Sequence, residues 1–200
     1  MAKRFLETVI VVLTFPLWIA VLGVAAAAVF ATMARPVLFR QERIGLGGKV
    51  FRILKLRTMR SGAGEDCERL TRTGRFLRRT SLDELPQLFH VLSGKMALVG
   101  PRPLPARYLP RFTPEELRRH EVRPGITGWA QVNGRNAIDW DHKIALDLWY
   151  VKHRSIALDL KIIVLTFARV FAGSGIDAED GVTMGEFRPD LANKRVKAVL

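Results

Sequence analysis

Cysteine is almost absent: Cys67 is the only one in 200 residues. A single cysteine excludes an intramolecular disulfide and a cysteine-based zinc site, and such usage suits a reducing, cytoplasmic environment. Acidic side chains are scarce beside basic ones, 19 Asp and Glu against 32 Lys and Arg, a formal net charge of +13. That balance asks for an anionic partner: nucleic acid, lipid headgroups or a phosphorylated substrate. No internal repeat is evident. The glycines of Gly45-Leu46-Gly47-Gly48 are not followed by the helix-opening Gly-Lys-Ser/Thr of a phosphate loop, so they read as a turn. A hydrophobic share of 48% makes intrinsic disorder a poor description of the chain.

Charge is missing altogether from Thr8 to Ala34, a run of 27 residues. About 20 apolar residues suffice to cross a bilayer core as a helix. Pro16 interrupts the run, lacking an N–H and clashing with the carbonyl four residues back. Lys3 and Arg4 precede the run, and Arg35, Arg40 and Arg43 follow it. Positive residues stay on the cytoplasmic side, so both flanks ask for the same side. A helix broken near Pro16 that enters and leaves one leaflet satisfies both. A straight kinked span and a signal peptide are the competing readings.

Beyond the run, residues 36–57 read as a hairpin, two β-rich stretches around the glycine turn. Lys55 and Arg57 share one face of the second strand, either solvated or in contact with phosphate. Residues 61–68 form a small, polar, acidic linker, expected to be a mobile loop. Arg69, Arg72, Arg75 and Arg78 or Arg79 recur at helical spacing and predict one basic face. Asp83 and Glu84 then lie side by side, with Arg78 and Arg79 before them and Arg102 after. Ser81 and Glu84 fit a capping box, and both carboxylates are expected at a helix N-terminus, which favours negative charge and phosphate alike. Spacing leaves two readings open here: a structural ion-pair cluster, or a nucleophile facing a phosphate clamp.

Met96–Val99 reads as a buried strand, and Gly100-Pro101-Arg102-Pro103 as a rigid turn that fixes Arg102 for ligand contact. Thr113 to Glu116 carries a helix start. Three glycines surround Trp129 in residues 122–136, suited to close approach of backbone to a ligand or to an ordinary turn-rich connection. Residues 140–152 mix Trp140, Trp149 and Tyr150 with Lys143, Asp147 and Lys152, a mixture that suits a membrane interface. Residues 156–172 hold three charges, arguing for a core or interfacial helix rather than a second span. From Asp177 onward the chain is polar, then basic, and disorder is expected at its extreme end.

Several motifs in order carry a family likeness: Val37-Leu38-Phe39-Arg40-Gln41-Glu42-Arg43-Ile44-Gly45, Lys55-Leu56-Arg57-Thr58-Met59, Ser81-Leu82-Asp83-Glu84-Leu85-Pro86-Gln87-Leu88-Phe89, Gly100-Pro101-Arg102-Pro103, and the stretch from Arg123 to Arg135. Over residues 1–176 the chain resembles the bacterial sugar transferases, the monotopic phosphoglycosyl transferases, in their small catalytic-unit form. The resemblance implies an α+β fold, mostly helical with a small β-hairpin, interfacial amphipathic helices and an N-terminal re-entrant membrane helix. It divides the chain into that helix at 1–35, a catalytic domain at 36–176 and a tail at 177–200. It implies transfer of a sugar-1-phosphate from a UDP-sugar to polyprenyl phosphate, releasing UMP, as the first membrane step of exopolysaccharide or other glycan assembly. Asp83 takes the role of nucleophile and Mg²⁺ ligand, with Glu84 assisting. Phosphate and nucleotide contacts map to Lys55, Arg78, Arg102, Gln131 and Arg135. The implied setting is the bacterial inner membrane, with the catalytic domain on the cytoplasmic face. Implied partners are membrane lipids and downstream glycosyltransferases, not nucleic acid. The chain departs from the family pattern at Phe15-Pro16, where Ser-Pro is usual. It departs again at Arg107, where a glutamate is common.

Overall fold

The computed structural model describes residues 2–134, 138–172 and 186–188. Two helices fill the apolar N-terminus: α1 (Ala2–Leu13) and α2 (Phe15–Met33). They meet at Thr14, and Pro16 falls in the first turn of the new helix, where its missing N–H costs nothing. Side chains satisfy the carbonyls freed at the break. The Thr14 hydroxyl donates to the Ile10 carbonyl at 2.7 Å, and the Trp18 indole N–H to that of Val11 at 3.0 Å. One side of the pair is buried through Val11, Trp18, Ala25 and Val29, while Leu13, Leu17 and Val24 are each more than 70% exposed. α2 is the one described helix long and apolar enough to cross a membrane.

Both ends of the apolar run are tied to the same body. At the start, Lys3 donates to the Val99 carbonyl at 2.8 Å and pairs with Asp159 at 2.9 Å, while Glu7 accepts from the Leu98 N–H. At the end, Arg57 donates to the carbonyls of Met33 and Ala34. A cation on these last carbonyls also complements the helix dipole.

β1 (Leu38–Ile44) and β2 (Val50–Leu56) form the predicted antiparallel hairpin, with Leu38 opposite Leu56 and Ile44 opposite Val50. Its turn holds Gly47 and Gly48 at φ of 63° and 77°, a region that favours glycine. The stretch expected as a mobile linker contains one helical turn, α3 (Asp66–Arg69). α4 (Arg72–Arg79) follows, capped by Thr71. Arg69 therefore belongs to α3 and not to the basic face of α4, where Arg72, Arg75 and Arg79 are exposed. α5 (Leu88–Leu92) is short.

β3 (Ala97–Val99) pairs in parallel with β4 (Gly125–Thr127). A Cβ on Gly125 would lie 2.1 Å from the Gly100 nitrogen, and one on Gly128 would lie 2.2 Å from the Gly100 oxygen. The close neighbour that these glycines accommodate is the chain itself. α6 (Trp129–Val132), α7 (Trp140–His153) and α8 (Ile156–Ala172) complete the domain. Ile162 on α8 is fully buried with Val99, Val132 and Tyr150, while Ile156, Leu160, Val164 and Phe167 form a bare stripe on its outer side. Three residues of the stretch expected to be tail dock on the domain. Phe187 is fully buried among Tyr108, Phe112 and Trp140; Glu186 pairs with Arg111, and Arg188 with Glu116.

Candidate active site

Asp83 and Glu84 sit in a 3₁₀ turn, Leu82–Gln87, that leads into α5. The predicted capping box is not formed. Ser81 is left-handed at φ 57° and its side chain caps nothing. Glu84 turns instead toward cations, which bind a carboxylate more strongly than a backbone N–H does. Lys55 from β2 and Arg102 from the turn after β3 each donate to Glu84 Oε1 at 2.6 Å. Among the described residues, the nearest ion-pair partner of Asp83 is Lys55, at 4.0 Å. The adjacent carboxylates thus have different surroundings: Glu84 takes both short ion pairs, and Asp83 takes neither.

Their acidities diverge accordingly. Burial, and then the charge of Glu84, raise Asp83 to about 6. Burial also pushes Glu84 up, but Arg102 and Lys55 outweigh it and hold the acid well below the usual carboxylate range. Glu84 in turn raises Arg102, while burial lowers Lys55. At neutral pH the result is a buried, ionised Asp83 that takes no short ion pair among the described residues.

An open trough of about 1740 Å³ gathers Lys55, Arg78, Asp83, Glu84, Arg102 and Gln131 along its walls. Arg78, from α4, is oriented by Nε donation to the Thr58 hydroxyl at 3.0 Å. Gln131, from α6, has both side-chain amide atoms buried without a partner among the described residues. Arg135 lies outside the described residues. Arg57 is only 8% exposed, so it is not solvated; it lines the trough and donates to the last carbonyls of α2.

The trough also collects residues that sequence reasoning did not assign to a site. Arg43, Arg119, Lys143 and Asp147 line it. Lys143 and Asp147, four apart on α7, were legible only as part of a membrane-interface mixture; both are instead buried. Burial, and then the charge of Arg102, lower Lys143 to about 8. Their spacing places them on one helix face, but only the packing of α7 beside Arg119 reveals that the face turns inward. At Arg107, where the family pattern has an acid, the guanidinium faces Glu186 at 3.7 Å.

A model of the bacterial sugar transferase family matches residues 1–173, which takes in every helix and strand described above. The chain belongs to the bacterial sugar transferase family. Among relatives of this sugar transferase, the uncharacterised sugar transferase EpsL of Bacillus subtilis is 52% identical over 167 residues, covering 80% of this chain and 83% of EpsL. The UDP-glucose:undecaprenyl-phosphate glucose-1-phosphate transferase of Xanthomonas campestris is 41% identical, over 84% of this chain and 38% of that protein. The UDP-N-acetylgalactosamine-undecaprenyl-phosphate N-acetylgalactosaminephosphotransferase of Aeromonas hydrophila is 38% identical, over 86% of this chain and 44% of that protein. The sugar transferase thus spans less than half the length of the latter two. Its likeness to them includes the region of the dyad and the trough.

Proposed function

We propose that this sugar transferase moves a sugar-1-phosphate from a UDP-sugar to undecaprenyl phosphate and releases UMP. The relatives' named reactions support the substrate classes. The observation that carries the mechanism is the asymmetry of the dyad. Glu84 is neutralised by Lys55 and Arg102, which leaves the more basic Asp83 free to attack. An Asp83 oxygen bonds to the sugar-bearing phosphorus, and the bridging P–O bond breaks, so that UMP leaves with the bridging oxygen. A phosphate oxygen of undecaprenyl phosphate then attacks the same phosphorus. The Asp83–phosphorus bond breaks, giving the lipid diphosphate sugar and the free carboxylate. A covalent intermediate of this kind divides one hard transfer into two easier ones.

Both substrates are anionic, so the trough must offset repulsion and stabilise charge on the phosphoryl oxygens. Lys55, Arg78 and Arg102 are the cations for that task, and Arg135 follows the family motif. Among the described residues no three acidic, histidine or cysteine side chains cluster. Mg²⁺ commonly binds through one or two carboxylates and substrate phosphates, and Asp83, without a short ion pair among the described residues, fits that pattern while Glu84 does not. Bound there with the substrate, the ion would supply further neutralisation of the phosphoryl oxygens.

The domain is assigned to the cytoplasmic face of the bacterial inner membrane, with α1 and α2 entering and leaving one leaflet. Anchoring of both Lys3 and the end of α2 to one body supports this. The test is UMP release from a panel of UDP-sugars with undecaprenyl phosphate in nanodiscs. Activity with at least one donor is expected, and Asp83→Asn should reduce it by roughly 10³-fold or more. Near-full activity in that variant would rule out attack by Asp83.

A further inference from the structure

The turn that presents Arg102 has an unusual hydrogen-bonding problem. Pro101 and Pro103 have no N–H, so the turn can be held mainly through its carbonyls. All three have donors. The Gly125 N–H donates to Pro101 at 3.0 Å, Arg119 Nη2 to Arg102 at 2.9 Å, and Arg43 Nη1 to Pro103 at 2.9 Å. Arg119 is itself held from beneath. Its Nε and Nη2 both donate to Asp147 Oδ2, at 3.2 and 2.6 Å, and its guanidinium lies 5.6 Å from the centre of the Phe112 ring. Arg119 is 2% exposed and Asp147 1%.

We infer that Arg119, locked by Asp147, is a positioning residue: it grips the Arg102 carbonyl and so sets the guanidinium that holds Glu84. The inference rests on the proposed function for the role of Arg102, and it goes further by extending the machinery to α7. The chain of contacts runs from α7 through Asp147, Arg119 and the Arg102 backbone to the Arg102 side chain, 2.6 Å from Glu84. A buried ion pair is poor evidence of stabilisation, since apolar replacement of both partners is often neutral or better. This pair does what an apolar one cannot, because it donates to a carbonyl that has no other described donor. Lysine at 119 would keep the charge but lose the planar fork that reaches carboxylate and carbonyl together.

The test is a double-mutant cycle read by UMP release, with amide exchange as an independent readout. Asp147→Asn alone leaves Arg119 buried without its counter-charge and stands to unfold the chain, so the paired change Arg119→Met/Asp147→Leu is used beside it. In the otherwise native chain the paired change should lower kcat by roughly 10²-fold, the scale of a misplaced catalytic group. In an Arg102→Ala background it should cost less than about threefold, because effects passing through one residue do not add. Amide exchange at Gly100, Arg102 and Leu104 should quicken in the paired variant. An equal loss of kcat in both backgrounds would overturn the inference, as would unchanged exchange in that turn. Should the unaltered chain release no UMP from any donor, the proposed function fails, and exchange at the turn still decides whether Arg119 grips it.

Discussion

Adjacent carboxylates in one buried turn would ordinarily share a proton, since like charges at contact cannot both be cheaply ionised. Here the protein separates them by giving both short cation contacts to Glu84. Sequence placed Asp83 and Glu84 together but could not divide their roles, because the dividing residues lie 29 and 18 positions from Glu84. Only the fold of β2 and the turn after β3 brings Lys55 and Arg102 to it. Another residue of the same neighbourhood, His120, gives a pH prediction. Its Nε2 faces Arg119 and its Nδ1 the Leu117 carbonyl. Burial, and then the charge of Arg119, lower it to about 4 from 6.5. The unfolded chain therefore binds a proton below pH 6.5 that the folded chain refuses until about pH 4. The His120 contribution is present above pH 6.5 and is lost as pH falls toward 4, by a few kcal/mol. Denaturant titrations across that interval should show a shallower fall for His120→Gln than for the unaltered chain. Identical slopes would mean that His120 does not contribute.

Elements with a local signal were legible, and those made by distant pairing were not. The hairpin of β1 and β2 follows from β-rich stretches around a glycine turn, and β3 from a short apolar run. β4 has three residues inside a glycine-rich stretch, and its strand character comes from pairing with β3, not from its own pattern. Pro86 lies inside the 3₁₀ turn of the dyad, where an α-helix would crowd its ring against the Leu82 carbonyl four residues back. The close approach of Gly125 in β4 to Gly100, at the start of the Arg102 turn, carries its own prediction. Gly125→Ala would force a Cβ to within 2.1 Å of the Gly100 nitrogen. Backbone must shift to make room, at a cost of about 1–3 kcal/mol. A lowered Tm together with lowered UMP release is expected. Unchanged melting would contradict the close packing of Gly125 against Gly100.

At the scale of the whole molecule, apolar surface and the trough that holds Asp83 belong to one body. The outer sides of α1, α2 and α8 carry large exposed apolar residues that a soluble surface rarely gathers. Pro16 and the basic flanks pointed to a broken helix, and the structure contains that break at Thr14. What sequence could not reveal was the anchoring through Lys3 to Val99 and Asp159, contacts more than ninety positions away in the chain. That anchoring predicts that a cysteine placed ahead of Lys3 resists a membrane-impermeant thiol reagent in intact cells and reacts after lysis. Labelling in intact cells, with the catalytic domain still shielded, would replace the re-entrant arrangement with a span.

Leaving out the lipid acceptor isolates the proposed covalent step at Asp83. The purified chain is mixed with its UDP-sugar and Mg²⁺ in nanodiscs free of undecaprenyl phosphate. UMP is then followed by rapid quench and the protein by intact mass. Attack by Asp83 should give a burst approaching one UMP per active chain, a mass gain equal to one phosphosugar on the peptide holding Asp83, and neither in Asp83→Asn. UMP release that begins only when undecaprenyl phosphate is added, with no change in protein mass, would exclude that attack.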